Sequence, residues 1–266
     1  MTAQVPSADV EVPLSVVSLA NGRPLRPVWR NELGGLTFEV GTETGRWFVK
    51  WAPAGCGLDL HREVSRLRWA AQFTPVPRVL DHGADATGAW LVTAGLPGET
   101  AVSDRWKAEP RAAVTAIGRG LRAFHDQLPV DICPYSWDAE GRVAGVKELE
   151  AAGQLDTTRW DPVHSALSRV EALARLDDVP ETDRLVVCHG DACAPNTLLN
   201  EDGTWSGHVD LGSLGVADRW ADLAVATWSL DWNYGPGWAH TLLGAYGVNP
   251  DPERIAYYRL LWDLSP

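Results

Sequence analysis

Two segments near the start of the chain alternate between apolar and polar residues. Apolar side chains stand two residues apart in Phe38–Val40 and again in Trp47–Val49, which is the period of a strand with one buried face. Thr42–Gly45 lies between them and predicts a hairpin turn. His61–Trp69 follows a helical period instead. The pattern therefore predicts a small antiparallel sheet that carries one helix.

Later apolar runs predict strands that lead into loops. Leu91–Ala94 runs into Gly and Pro residues, and Leu185–Cys188 is short and apolar like a buried strand. Thr197–Leu199 and Gly207–Val209 flank a turn signal, Asp-Gly, and predict a hairpin. Residues 1–25 have no firm period, so an extra helix and an extra strand both stay open there.

The composition is that of a globular protein large enough for two lobes. The 266 residues are 45% hydrophobic and 22% charged, as in ordinary folded chains. We find no basic segment followed by an apolar stretch and no run long enough to span a bilayer, so we expect neither a signal peptide nor a membrane partner. Four cysteines without a framework spacing favour reduced thiols in the cytoplasm. We expect a monomer.

The net charge of -12 argues against nucleic acid as a partner, because such binding needs a basic face. An acidic surface attracts cationic small molecules. Acidic balance also keeps many proteins soluble, so the charge is compatible with a cationic ligand without identifying one.

Three polar residues carry the most specific chemical signal. Asp191 follows the strand predicted at Leu185–Cys188 and stands five residues before Asn196, and the predicted hairpin folds Asp210 back toward Asn196. A carboxylate can accept the proton of an attacking hydroxyl, and Asn and Asp oxygens suit a hard cation such as Mg²⁺. The same order occurs in phosphoryl-transfer enzymes. The sequence therefore predicts Asp191 as the base and Asn196 and Asp210 as metal ligands.

The first half of the chain supplies candidates for phosphate contacts. Gly34 and Gly35 precede the strand that bears Lys50, and adjacent glycines let backbone amides approach phosphate oxygens. A lysine at the end of an apolar strand is usually a solvated edge residue, but Lys50 is one of only three lysines in the chain. In the kinase pattern such a lysine contacts phosphates and is held by a Glu on the next helix. Glu63 is the candidate partner.

The motif around Asp191 resembles that of the aminoglycoside phosphotransferases, small bacterial kinases that share a two-lobed fold with protein kinases. The resemblance rests on His189–Asp191 with Asn196 and on the following Asp210–Gly212. Further similar segments extend it from about residue 31 to residue 263.

This resemblance implies an α+β fold, with a small antiparallel β lobe and a larger, mainly helical lobe. It places a nucleotide-binding lobe at residues 1–94, a hinge at 95–98 and a catalytic and substrate-binding lobe at 99–266. ATP and Mg²⁺ are the implied cofactors. The backbone groups expected to bind the adenine edge are those of Ala94, Gly95 and Leu96.

The resemblance also locates an acceptor pocket. The candidate contacts are Asp161, Asp231, Trp232 and Asp263. Relatives that act on kanamycin and neomycin have more acidic residues in these regions and terminal aromatic residues, and this chain departs from both features. Guanidinium groups bind carboxylates through two hydrogen bonds, so few carboxylates favour streptomycin. We therefore expect resistance through phosphorylation of the 3''-hydroxyl of streptomycin, with 3'-phosphorylation of kanamycin-type antibiotics as the alternative.

Other functions would keep part of this pattern. A kinase of another small metabolite would use the same catalytic residues, whereas a pseudokinase acting as a binding module would lack one of them. Cys188–Cys193 holds two cysteines and one histidine but no fourth local ligand for zinc. His189, Asp218 and Arg219 are expected to brace loops, with Asp218 and Asp222 on one side of a helix.

Overall fold

The structure is a computed structural model that describes residues 10–42 and 45–265. The chain divides into two units, Met1–Pro97 and Gly98–Pro266, called here the N-terminal unit and the C-terminal unit. The turn predicted at Thr42–Gly45 lies partly outside the described residues, because 43 and 44 are not among them. The lobe and hinge boundaries proposed from the sequence stay a prediction.

The described residues of the N-terminal unit form a five-stranded antiparallel sheet. In spatial order its strands are β1 (Leu25–Arg30), β2 (Leu36–Val40), β3 (Trp47–Pro53), β5 (Gly88–Ala94) and β4 (Val79–Ala84). The alternation predicted for β2 and β3 is confirmed, since Phe38 pairs with Val49 and Val49 pairs with Val92. These three side chains are buried on one face of the sheet, together with Val16.

Two helices belong to the described part of this unit, one before β1 and one between β3 and β4. Helix α1 (Leu14–Ala20) contributes Val16 to the core around Phe38, so the described part of residues 1–25 contains a helix. Helix α2 (Leu60–Ala70) contacts β4 and β5, and Asp59 caps its first turn by accepting a hydrogen bond from the Arg62 amide at 2.9 Å. The helix predicted at His61–Trp69 is therefore confirmed.

The C-terminal unit is mainly helical. The helices are α3 (Asp104–Ala108), α4 (Pro110–Gln127), α5 (Ala139–Ala151), α6 (Arg169–Leu176), α7 (Trp220–Tyr234), α8 (Ala239–Tyr246) and α9 (Pro252–Leu264), with 3-10 turns at Val130–Ile132, Thr157–Arg159 and Ala194–Asn196. Helix α4 packs on α8, and α7 packs on α9 and is buried along most of its length. No helix among the described residues is long and apolar enough to cross a membrane.

Short strands support the loops of this unit. They are β6 (Glu99–Thr100), β7 (Leu185–Cys188), β8 (Thr197–Leu199), β9 (Trp205–His208) and β10 (Gly215–Asp218). The predicted strand at Leu185–Cys188 is confirmed and pairs with β10. The predicted hairpin is also confirmed, with Thr197 opposite His208 and a turn closed by the bond from the Asn200 amide to the Thr204 carbonyl, 2.8 Å.

One prediction about this region is wrong. Asp218 and Asp222 do not share a helix face, because Asp218 ends β10, opposite Leu185, and α7 begins only at Trp220. Strand pairing holds Asp218 extended, and its Oδ1 then accepts a hydrogen bond from the Trp220 amide at 2.9 Å. Asp218 therefore lies before helix α7 and binds the backbone amide of its first residue.

Two helical glycines make the packing of the C-terminal unit testable. A Cβ on Gly118 of α4 would lie 2.5 Å from the Leu242 carbonyl oxygen of α8, whereas a Cβ on Gly145 of α5 would meet no atom within 4 Å. Alanine favours helices over glycine by about 0.5–1 kcal/mol. We expect Gly145→Ala to raise the free energy of unfolding by that amount and Gly118→Ala to lower it by about 1–3 kcal/mol. Urea unfolding of both variants tests this, and equal effects would contradict the close contact between α4 and α8.

Candidate active site

The loop that carries Asp191 follows β7 and is anchored by one buried carboxylate. Asp222, in the first turn of α7, accepts hydrogen bonds from the backbone amides of His189 at 2.6 Å and Gly190 at 2.9 Å. Its Oδ2 also lies 2.9 Å from Nε2 of His125. Burial raises the pKa of Asp222. The hydrogen bond and charge of His125, together with the hydrogen bonds from the backbone amides, lower it by more, so the pKa lies below its ordinary value. The carboxylate is therefore held ionised beneath the loop.

The conformation of this loop excludes other residues at Gly190. Its φ is +85°, and a Cβ would lie 2.2 Å from the carbonyl oxygen of Ser213. His189 is buried and donates from Nε2 to the carbonyl of Val209 at 2.9 Å. This bond joins the loop to the residue after β9, as expected for a bracing histidine.

Asp218 and Arg219 brace a second loop, the one that leads into β7. The amide of Asp183 donates to Asp218 at 2.6 Å, and Nε of Arg219 donates to the Asp183 carboxylate at 2.7 Å. Both residues therefore have the bracing role predicted for them, although Asp218 does so from a strand.

The Asp191 carboxylate interacts with the Cys193 thiol and the Asn196 amide, and among the described residues its Oδ1 still accepts no well-formed hydrogen bond. Nδ2 of Asn196 donates to Asp191 Oδ2 at 3.1 Å and to the Asp191 carbonyl at 2.9 Å. Within the described residues, Oδ1 is buried and has no hydrogen-bond partner. Burial raises the pKa of Asp191, and the charge of Asp210 raises it further. Because a buried acceptor without a donor is costly, Oδ1 is suited to a hydroxyl donated by a ligand.

The hairpin brings Asp210 next to the residue that pairs with Asn196. The amide of Val209 donates to the Asn196 carbonyl at 3.0 Å, so Asp210 directly follows the residue opposite Asn196, as predicted. Asp210 has a φ of +66°, and a left-handed conformation in a residue other than glycine often marks a functional site.

This donor set fits Mg²⁺. The Asn196 amide nitrogen is used by Asp191, which leaves its oxygen as the group to coordinate a cation. Together with the Asp210 carboxylate it supplies the oxygen ligands that Mg²⁺ prefers. A cation would also offset the repulsion between Asp191 and Asp210 that raises the pKa of Asp191. The role of both residues as metal ligands stays a prediction.

In the N-terminal unit, the structure brings Lys50 and Glu63 together. Lys50 lies on β3 between Thr37 and Leu91, on the sheet face opposite Val49. Its Nζ donates to both carboxylate oxygens of Glu63 at 2.7 and 2.8 Å, and Glu63 is buried. The pairing inferred from the sequence is therefore present, and it fixes the ammonium group at one position.

The glycines predicted to bind phosphate are hydrogen-bonded within their own loop. The Gly35 amide donates to Asn31 Oδ1 at 2.7 Å, and the Gly34 amide donates to the Asn31 carbonyl at 3.2 Å. Phosphate binding by these amides stays a prediction and requires both bonds to be exchanged. Asn31 was missed, although an Asn shortly before paired glycines is a signal for a side chain that closes a turn.

The segment predicted to bind adenine is tied to Arg46. The Gly95 amide donates to the Arg46 carbonyl at 3.1 Å, and the Leu96 carbonyl accepts from Arg46 Nη2 at 2.9 Å. The Ala94 amide donates to the Arg78 carbonyl at 2.9 Å. Adenine binding here stays a prediction, and no local pattern pointed to Arg46.

The sequence matches the phosphotransferase enzyme family over residues 30–258. The chain belongs to this family. An aminoglycoside 3'-phosphotransferase of Streptomyces fradiae is 40% identical over 221 residues, which cover 79% of this chain and 81% of the relative. A streptomycin 3''-kinase of Streptomyces griseus is 36% identical over 254 residues, which cover 90% and 91%.

A solved structure extends the likeness to the fold. It is an aminoglycoside phosphotransferase of Streptomyces rimosus in complex with ADP and streptomycin, 28% identical, with a TM-score of 0.74 over 96% of this chain and 99% of that chain. The resemblance to the aminoglycoside phosphotransferases and the predicted two-lobed, protein-kinase-like α+β fold are therefore confirmed.

In this phosphotransferase, the predicted acceptor residues come from segments that the C-terminal unit brings together. Asp263 Oδ2 accepts hydrogen bonds from the Asp161 amide at 2.9 Å and lies 2.8 Å from Nδ1 of His164, so it ties the loop at Asp161 to α9. Trp232 is half exposed on α7. Burial lowers the pKa of Arg259, while the charges of Asp231 and Asp161 act in the opposite direction. Their acceptor role stays a prediction, and Arg259 was missed.

The zinc alternative finds no support in this phosphotransferase. Among the described residues, a set of metal-type donors forms around His125, Cys188 and Asp222 rather than Cys193. Asp222 is already bonded to His125 and to two amides. Burial raises the pKa of the Cys188 thiol well above its ordinary value, so the thiol is neutral and packs as a core residue.

Asp222→Asn tests the anchor of the loop that carries Asp191. The variant keeps the shape but loses the charge that strengthens three hydrogen bonds, so we expect a loss of about 2–4 kcal/mol in unfolding free energy. Turnover should fall about tenfold or more because the loop is displaced. The pKa of Asp222 is lowered in the folded chain, so its contribution is present at pH 7 and is lost as pH falls through that lowered pKa.

Unfolding of wild type and variant between pH 7 and pH 3 measures this difference. Asp178→Asn, at an exposed carboxylate, is the control and should change stability by less than about 0.5 kcal/mol. A difference between wild type and Asp222→Asn that stays constant with pH would contradict the role of the charge.

Proposed function

We propose that this phosphotransferase transfers the γ-phosphoryl group of ATP to a hydroxyl of an aminoglycoside antibiotic, the 3''-hydroxyl of streptomycin. The observation that carries the proposal is Asp191 Oδ1, a buried carboxylate oxygen with no hydrogen-bond partner in the described part of the chain. An acceptor hydroxyl would donate to this oxygen and lose its proton to it as the phosphoryl group moves. The amide of Asn196 holds the other oxygen and so orients the carboxylate.

The nucleotide is assigned to residues 1–94, a hinge to 95–98 and catalysis to 99–266. Lys50, held by Glu63 at 2.7 Å, would offset the negative charge of the phosphates. ATP is the proposed donor because the related Streptomyces rimosus enzyme binds ADP. We place the reaction in the cytoplasm, carried out by a monomer.

Mg²⁺ would be held by the Asn196 amide oxygen and the Asp210 carboxylate. When bound, Mg²⁺ neutralises charge on the phosphate oxygens. The residues of the chain do the remaining work, since Asp222 fixes the backbone of the loop through two amides and Gly190 permits its turn. Positioning and charge neutralisation therefore supply most of the proposed rate enhancement.

Streptomycin is favoured by the charges of the acceptor region. Asp263 is engaged by the Asp161 amide and by His164, and Arg259 lies close enough to Asp231 and Asp161 for their charges to affect its pKa. Few carboxylates, with the exposed Asp231 among them, are then left for ammonium groups. A guanidinium needs only one carboxylate to form two hydrogen bonds. The relative from Streptomyces griseus is a streptomycin 3''-kinase, and the relative from Streptomyces rimosus was solved in complex with streptomycin. Both support streptomycin as the acceptor.

A second candidate is 3'-phosphorylation of kanamycin-type antibiotics. The 40% identity with the aminoglycoside 3'-phosphotransferase of Streptomyces fradiae favours it. Both candidates use the same base, metal ligands and nucleotide contacts, so they differ only in the acceptor region.

Turnover of four antibiotics separates the two candidates. The purified chain is assayed with ATP and Mg²⁺ on streptomycin, kanamycin, neomycin and hygromycin, and we expect streptomycin to be phosphorylated with the highest kcat/KM. Higher kcat/KM on kanamycin or neomycin would support the 3'-phosphotransferase instead. Silence on all four would reject both candidates.

Asp191→Asn tests the assignment of the base. The variant keeps an oxygen that can accept the bond from Asn196 but cannot take up the acceptor proton, so we expect kcat to fall about 10²- to 10⁴-fold. The KM for ATP should change by less than about twofold, because Asp191 is assigned no contact with the nucleotide. Asp202→Asn, in the hairpin turn, is the control and should turn over at the wild-type rate. Near-normal turnover of Asp191→Asn would exclude Asp191 as the base.

A further inference from the structure

Three tryptophan rings of the C-terminal unit form one cluster, called here the tryptophan platform and consisting of Trp228, Trp232 and Trp262. Trp228 and Trp232 are four residues apart on α7 and therefore lie on the same helix face. Trp262 comes from α9, which packs against α7. The ring centroids are 5.1 Å apart for Trp228 and Trp232, 6.0 Å for Trp228 and Trp262, and 5.9 Å for Trp232 and Trp262.

The inner part of the platform is held in place by Arg259 and His164. The guanidinium carbon of Arg259 lies 5.5 Å from the Trp228 ring centroid, and Nη2 donates to Thr227 Oγ1 at 3.1 Å. The ring of His164 packs edge-on against Trp228 at 5.5 Å and is fixed in turn by Asp263 at 2.8 Å. Trp228 therefore has little freedom to move, and the platform is preorganised.

The outer part of the platform faces solvent. Trp228 is 5% exposed, whereas Trp232 is 48% exposed. Among the described residues, Trp232 is the only aromatic member of the exposed large apolar side chains. Its neighbour in sequence, Asp231, is exposed, and the charges of Asp231 and Asp161 both act to raise the pKa of Arg259. An exposed aromatic side chain that follows an exposed carboxylate along the helix is suited to a flat cation.

We propose that the tryptophan platform determines acceptor specificity by stacking a guanidinium group of the substrate on the exposed face of Trp232, with Asp231 as the paired anion. Guanidinium is planar and weakly hydrated and stacks on aromatic rings, whereas an ammonium group is compact and strongly hydrated. The platform therefore selects guanidinium-bearing acceptors over those with only ammonium groups. This inference rests on the proposed function, of which it specifies the acceptor chemistry.

Binding measurements on Trp232 variants test the platform. Calorimetric titration gives the Kd of streptomycin, which bears two guanidinium groups, and of kanamycin, which bears only ammonium groups. We expect Trp232→Leu to weaken streptomycin binding about 3- to 30-fold and kanamycin binding less than twofold. Trp232→Phe retains an aromatic face and should recover most of the streptomycin affinity. Trp238→Leu, which removes a ring 5.9 Å from the Arg111 guanidinium carbon, is the control and should leave both Kd values unchanged.

Steady-state kinetics separate failure of this inference from failure of the proposed function. In Trp232→Leu the KM for streptomycin should rise by the same factor as the Kd, with kcat within about twofold of wild type. Equal weakening of both antibiotics, unchanged streptomycin binding, or no streptomycin binding by the wild-type chain would each overturn the platform. Binding that follows the expected pattern without phosphorylation would support the platform and reject the proposed function.

Discussion

The loop that carries Asp191 depends on the buried carboxylate of Asp222. This one group accepts hydrogen bonds from two consecutive backbone amides of the loop and contacts His125. Two adjacent amides can point at one carboxylate only if the backbone turns sharply, and Gly190 with its φ of +85° permits that turn. Helix α7 is buried along most of its length, so the packing of the C-terminal unit fixes the anchor and, through it, the position of Asp191.

Asp191 and Asp210 are held in an arrangement that is electrostatically and conformationally unfavourable. Asp191 and Asp210 repel each other, as the raised pKa of Asp191 records, and Asp210 has a left-handed backbone. Such costs persist only where the surrounding structure fixes the geometry. Lys50 and Glu63 are the opposite case, because their charges are paired within hydrogen-bonding distance. A cation bound by Asn196 and Asp210, as proposed, would relieve the repulsion in the C-terminal unit, whereas Lys50 and Glu63 in the N-terminal unit already pair with each other.

Carboxylates in the predicted acceptor region differ in whether they are engaged in hydrogen bonds within the protein. Asp263 ties a loop to α9 through the Asp161 amide and His164. Asp231, by contrast, is exposed and precedes the half-exposed Trp232 on α7. Counting acidic residues along the sequence therefore overstates the charge available to a substrate, since one of these carboxylates is used to hold the region together.

Local patterns were sufficient for the strand at Leu185–Cys188, the hairpin that follows it and the spacing of Asp191, Asn196 and Asp210, because each depends on residues close together in the chain. The sequence alone therefore determined the fold class, the family and the candidates for the chemistry. Only the tertiary structure identified Asp222 as the anchor and Arg259 as the support of Trp228. These contacts join residues on different elements that are far apart or irregularly spaced along the chain. A periodic sequence pattern therefore does not reveal them, and only the packing of the folded chain brings these residues together.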